Sequence, residues 1–107
     1  MAANVETITV TAAGRGSVHN TLDGTNADAI TINTAAAQCR VLATLVNRSA
    51  GGFWFRLDGT AAAEENASYY LAAGADYPFI VNGAPVVSII AGSALAYSLQ
   101  TAPATDG

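Results

Sequence analysis

Apolar and polar positions alternate along most of this chain. Val5-Glu6-Thr7-Ile8-Thr9-Val10-Thr11 alternates and is rich in β-branched residues, the pattern of a half-buried strand. Ala29-Ile30-Thr31-Ile32-Asn33 repeats it. Between them, Ala13–Ser17 breaks the pattern and Val18–Leu22 offers a weaker strand that ends at Asp23-Gly24. The rest reads as Cys39–Asn47, Phe53–Leu57, Ser68–Ala72, Tyr77–Val81, Val86–Ala91 and Leu95–Gln100. Gly, Asn, Asp and Pro punctuate these runs about every 8–12 residues, the rhythm of a sandwich or barrel. Asp-Gly recurs at 23–24 and 58–59, each time inside Leu-Asp-Gly-Thr. Glycine and aspartate both suit turn positions of positive φ, so the echo reads as turn chemistry used twice. One segment competes for helix, Thr60–Ala67 with its Ala-Ala-Ala-Glu-Glu. Eight residues with no apolar stripe are marginal, at most a single turn.

The pattern predicts an all-β fold: a two-sheet antiparallel sandwich, jelly-roll or Ig-like, of about eight strands. At 107 residues the chain makes one domain, 1–107, with short tails expected at 1–4 and 101–107.

Period 2 also sorts faces. Phe53, Phe55 and Leu57 share one side of their strand and form the natural core, which turns Trp54 and Arg56 outward together. Tryptophan and arginine are both enriched at protein contacts. Val86-Val87-Ser88-Ile89-Ile90-Ala91 is apolar on both faces, and Val41–Val46 is similar. A sandwich strand normally shows water one face, so a further layer is expected from a loop or another subunit. The expected contact residues are Trp54, Arg56, Tyr70, Val86 and Ile90.

Composition narrows the function. Apolar residues make up 51% of the chain and charged residues 11%, against about 25% charged in a typical soluble domain. All four basic residues are arginine, and the net charge is −4. Phosphate-backbone binding needs a basic face, so no nucleic-acid partner is expected. No apolar run reaches the ~18 residues of a membrane span, and no secretory leader is visible. The single cysteine, Cys39, allows no intrachain disulfide and reads as a small buried hydrophobe at the head of its strand. His19 has no partner for a zinc site.

The carboxylates do not converge. Glu64 and Glu65 are adjacent, so their side chains diverge, and nothing beside Asp58 supplies a nucleophile or an oxyanion donor. Asp23, Asn26 and Asp28 are spaced oxygen ligands, but their spacing matches no dedicated calcium loop. Gly14-Arg15-Gly16-Ser17 lacks the length and the lysine of a phosphate loop. No Gly-x-Ser-x-Gly elbow is present. Neither an enzyme nor a metal or other cofactor is expected.

The C-terminal two-thirds resembles the small all-β virion proteins of tailed bacteriophages. The resemblance rests on Asn47-Arg48-Ser49, the aromatic strand ending in Leu57-Asp58-Gly59-Thr60, the Ala/Glu loop and Tyr70–Gly74. It continues through Phe79-Ile80-Val81, Ile89–Ser93 and Ala96–Leu99. It implies a structural protein made in the host cytoplasm and ending in the virion. The implied role is capsid decoration or cementing, with the major capsid protein or another virion protein as partner. A homo-oligomer is implied too, a trimer by preference and a dimer as the alternative. A tail or neck component belongs to the same class. The alternative class is a carbohydrate-binding module stacking sugars on Trp54, Tyr69, Tyr70 or Tyr77.

Overall fold

The structure is a computed structural model that describes residues 3–57, 68–83 and 85–104. The described residues form nine strands: β1 (Val5–Thr9), β2 (Gly16–Thr21), β3 (Asp28–Asn33), β4 (Val41–Asn47), β5 (Phe53–Arg56), β6 (Tyr69–Leu71), β7 (Asp76–Val81), β8 (Val86–Ile90) and β9 (Ala96–Pro103). They make a β-sandwich of a five-stranded sheet, β1-β3-β8-β5-β6, and a four-stranded sheet, β2-β9-β4-β7.

Almost every connection crosses from one sheet to the other; only β5 and β6, which pair antiparallel, follow one another within a sheet. This has a consequence for direction. The chain leaves the larger sheet after β1, forms β2 opposite, and returns at β3 running the same way, so β1 and β3 pair in parallel. The remaining ladders are antiparallel. The arches are tight. Gly74 and Gly83 lie at φ of 73° and 71° with open space around them, so backbone conformation and not crowding demands glycine there.

Alternation delivers the core. Ile30 and Ile32, Val87 and Ile89, and Phe53 and Phe55 project inward from the larger sheet, and Val41, Ala43, Leu45, Tyr97 and Leu99 meet them from the smaller. Phe53 and Tyr97 pack edge to face across the gap, with ring centroids 6.2 Å apart.

Several expectations need correction. The strand expected to open at Cys39 begins at Val41, and Cys39 is exposed. Its neighbour Arg40 is exposed as well, so the polar end of the run stays outside while its apolar part enters the core. The C-terminal tail does not start at 101: β9 continues through Pro103, because Ala43 and Val41 of β4 pair with Thr101 and Pro103. Nor is residue 4 a tail. The Asn4 backbone N–H and side-chain amide both donate to Asp28, each at 2.9 Å. The helix candidate Thr60–Ala67 lies outside the described residues, as do Asp58, Glu64 and Glu65.

Candidate contact surface

The outward face of the larger sheet collects the expected contact residues in rows. Trp54 of β5 stands between Tyr70 of β6 and Ile90 of β8. The next row runs Arg56, Ser88, Ala29, Val5, and the one after it Val86, Thr31, Thr7. All five residues therefore share one face. Val86 lies four residues from Ile90 along β8, roughly 13 Å at strand rise, so it belongs to a separate row from the Trp54 cluster.

Burial refines the picture. Trp54, Arg56, Val86 and Ile90 are half-buried, and Ser88 is buried although it faces outward. Part of the cover that two-sided apolar strands call for thus comes from this chain. Among the described residues, four of the five exposed large hydrophobic side chains lie at the β6–β7 edge, Val5 on β1 being the fifth. Tyr69 is 61% exposed, Tyr70 57%, Ile80 44% and Tyr77 37%.

That edge is where the aromatic side chains gather. Trp54 meets Tyr70 edge to face at 5.1 Å. Inside the sheet gap, Phe55 touches Tyr69 at 5.7 Å and Tyr77 at 5.0 Å, and Tyr77 continues to Phe79 at 5.9 Å. Around the corner, Ile80 pairs with Leu42 on the outward face of the smaller sheet. The result is an apolar belt from Trp54 and Tyr70, over Tyr69 and Tyr77, to Ile80 and Leu42.

Asn47 fixes this corner. It is buried at the end of β4, where its side-chain amide donates to the Gly51 carbonyl at 2.8 Å and the Leu71 carbonyl at 3.1 Å. Its Oδ1 accepts from the Ser49 N–H and hydroxyl. One side chain thereby ties the turn before β5 to the end of β6. Gly52 completes the arrangement, since a Cβ there would fall on the Tyr70 hydroxyl. Tyr70 rests against bare backbone.

The other candidate chemistries disperse. Asp23 spends its carboxylate locally: Oδ1 accepts the Thr25 and Asn26 N–H groups at 2.7 Å, and Oδ2 accepts the Asn26 amide at 2.9 Å. The Asn26 backbone and side-chain donors, then Thr25, hold its carboxyl below the usual aspartate range. Asp28 points the opposite way, into the interior, so the calcium ligands Asp23, Asn26 and Asp28 do not converge. Among the described residues no three His, Cys, Asp or Glu side chains gather around a common point. His19 Nδ1 does lie 2.7 Å from Ser98 Oγ. Ser98 is 1% exposed, so its hydroxyl is closed to an attacked substrate. A shallow concavity beside it is lined by Arg15, Gly16, Ser17, His19, Gln100 and Thr101. Among the described residues no helix is long and apolar enough to cross a membrane.

In the sequence, period 2 turns Trp54 and Arg56 outward together and puts Val86 and Ile90 on one face; Tyr70 is expected as a contact without that argument, and Tyr69 and Tyr77 enter only as part of a sugar platform. Ile80 was missed. The available signal was Pro78 two residues earlier, which marks an edge strand and hence an open inward-outward boundary.

No family description and no curated protein sequence matches the chain. Among solved structures, the fold is similar to that of Aeromonas hydrophila PliG, a periplasmic lysozyme inhibitor of g-type lysozyme. The TM-score is 0.50 and the identity 13%, with 94% of this chain and 98% of that one covered. At that identity the likeness concerns the β-sandwich alone.

Proposed function

We propose that this chain is a structural protein of a phage virion, a decoration or cement protein that binds the assembled head and stabilises it by bridging neighbouring capsid subunits. The observation that supports the reading is the apolar belt from Trp54 to Ile80. It offers large rigid side chains at one edge, with Arg56 beside Trp54 and Asp76 beside Tyr77 as the charges at its margin. Aromatic side chains of this kind dominate contact energetics while losing little conformational freedom. Each single contact is modest, but repetition over many equivalent sites and bridging of two neighbours multiply it. The mechanism needs no metal, cofactor or catalytic group. Its direct test is co-sedimentation with heads of the phage that encodes the chain. Saturable binding, weakened by Tyr69→Ala and Tyr77→Ala, supports the proposal; a chain that stays in the supernatant at all concentrations removes it.

The carbohydrate-binding alternative gains one observation: Trp54, Tyr69, Tyr70 and Tyr77 lie at the same edge. Ring geometry weighs against it. Trp54 and Tyr70 meet at 63°, and Tyr69 and Tyr77 tilt by 39° and 52° against Phe55. A sugar stacks on an open ring face, whereas Trp54 and Tyr70 meet edge to face and Tyr69 and Tyr77 each lean on Phe55. Retention on polysaccharide columns separates the two readings.

A further inference from the structure

The opposite side of the sandwich ends in β1, and its free edge has a definite hydrogen-bonding phase. The Ala29 N–H donates to the Asn4 carbonyl, and the Val10 N–H donates to the Asn33 carbonyl. In a parallel ladder alternate residues bond to the same neighbour. Residues 4, 6, 8 and 10 therefore bond to β3, and Val5, Thr7 and Thr9 aim their N–H and C=O groups away from the sheet. The side chains of these three residues are exposed, Val5 at 79%.

Sheet edges of this kind are normally blunted by shortness, proline, charge or a covering group. Two of the other three edges here are, and the third is covered only at one end. β6 has three residues. β7 carries Pro78 and Asp76. On β2, the Leu22 N–H donates to Leu95, which sets the phase so that Thr21 faces outward, and the Thr21 carbonyl accepts the Asn4 side-chain amide at 3.1 Å. Among the described residues β1 has neither shortness, proline nor a covering group, and its one such device is a charge that points inward. It holds five residues with no proline, lysine or arginine. Its single charge, Glu6, accepts from Asn20 of β2 and lies on the sheet face shared with Ile30, not on the edge.

We infer that β1 is a self-pairing edge, and that two copies of this chain join β1 to β1 antiparallel about a dyad through Thr7. The strand is complementary to itself in that register. Thr7 meets its own copy, and Val5 meets Thr9 of the second copy, both favourable pairs of β-branched residues. Glu6 falls opposite Ile8, so the two Glu6 carboxylates are not directly opposed and meet only on the diagonal, each held by Asn20. The outward phase of residues 5, 7 and 9 makes each of them a hydrogen-bonded pair. A dyad closes the assembly, so the product is a dimer with one continuous sheet, where the virion resemblance favours a trimer. The inference stands apart from the capsid proposal, since it uses the edge opposite the aromatic belt.

The same phase supplies the test. Thr7 donates no N–H within its own sheet, so Thr7→Pro removes no intramolecular bond, yet it places a proline at the centre of the joint. Sedimentation velocity of the full chain from 1 to about 200 μM should show wild type moving from monomer to dimer. Thr7→Pro should stay monomeric with an unchanged far-ultraviolet circular dichroism spectrum. Val5→Lys, which adds a charge on the exposed face of the same edge, should raise the dissociation constant at least tenfold and serves if Thr7→Pro does not fold. Wild type that is monomeric throughout, or folded variants that dimerise as wild type does, overturns the inference.

Discussion

The Tyr97 hydroxyl donates to Asp28 Oδ2 at 2.7 Å in the interior, with Asp28 fully buried. The two residues lie on facing sheets, Asp28 on β3 and Tyr97 on β9. Asn4 brings two more donors to the same carboxyl, and Asn20 donates to the Tyr97 oxygen at 3.3 Å. A buried carboxyl is tolerable only when its oxygens are satisfied. This one is, and in being satisfied it pins the start of β1 and the edge of β2 to the core. The β1 edge therefore has a fixed base.

Tyr97→Phe removes one donor and leaves the carboxyl oxygen short of a partner. The expected loss is about 1–3 kcal/mol, with Tm falling roughly 4–8 °C per kcal/mol for a domain of this size. Chemical denaturation checks it. A variant as stable as wild type would mean that the other donors suffice.

The same tyrosine sets an alkaline limit. Burial first, and then the hydrogen bond to Asp28, push its pKa well above the ordinary tyrosine value. A raised folded-state pKa means that the unfolded chain releases this proton first. The contribution is intact below about pH 10, where an unfolded tyrosine titrates, and is lost as pH rises beyond it. The chain has no lysine, which removes one common group that titrates in that range. Stability should decline steeply above pH 10 in wild type and less steeply in Tyr97→Phe, measured as urea midpoints from pH 8 to 11.

Asp23 offers the contrary sign. Its carboxyl is held below the ordinary range by Asn26 and Thr25, so its contribution is present above that range and lost as pH falls through the lowered value. A carbon-detected NMR titration should place Asp23 below an ordinary aspartate. Because those bonds occupy its oxygens, EDTA should leave Tm unchanged. A fall of several degrees that calcium restores would revive the Asp23, Asn26 and Asp28 cluster as a metal site.

Alternation in the sequence was enough to place the strands and their inward faces, because a one-residue slip would expose Phe53, Phe55, Ile30 and Ile32 together. Three things escaped it. The parallel pairing of β1 with β3 depends on β2 crossing to the other sheet, and nothing local to Val5–Thr9 encodes a partner so far along the chain. Cys39 failed for a different reason. It is adjacent to an apolar run, and adjacency alone does not say on which side of Arg40 the ladder to β9 ends. Asp28 was legible as an oxygen ligand but not as an interior residue, since its burial rests on Asn4 and Tyr97, 24 and 69 positions away.

The exposed thiol can be checked directly. Cys39 should react with a thiol reagent such as DTNB in the native protein within minutes, without denaturant. A thiol that reacts only after unfolding would restore the buried reading.

The corner around Tyr70 separates contact from fold. Trp54 is half-buried, so Trp54→Ala should cost about 1–2 kcal/mol from lost apolar burial, leaving a folded chain. Gly52→Ala acts differently: its new Cβ occupies the place of the Tyr70 hydroxyl and forces that ring off the surface it lies on, while the core residues Phe53 and Phe55 keep their positions. Both variants should weaken binding to heads if the belt is the contact surface, and Gly52→Ala should do so with the smaller change in Tm. The comparison is decisive because the two lesions share only the displacement of the Trp54–Tyr70 pair. If Gly52→Ala binds as wild type does and Trp54→Ala loses binding only in proportion to its stability, the belt is not the contact surface.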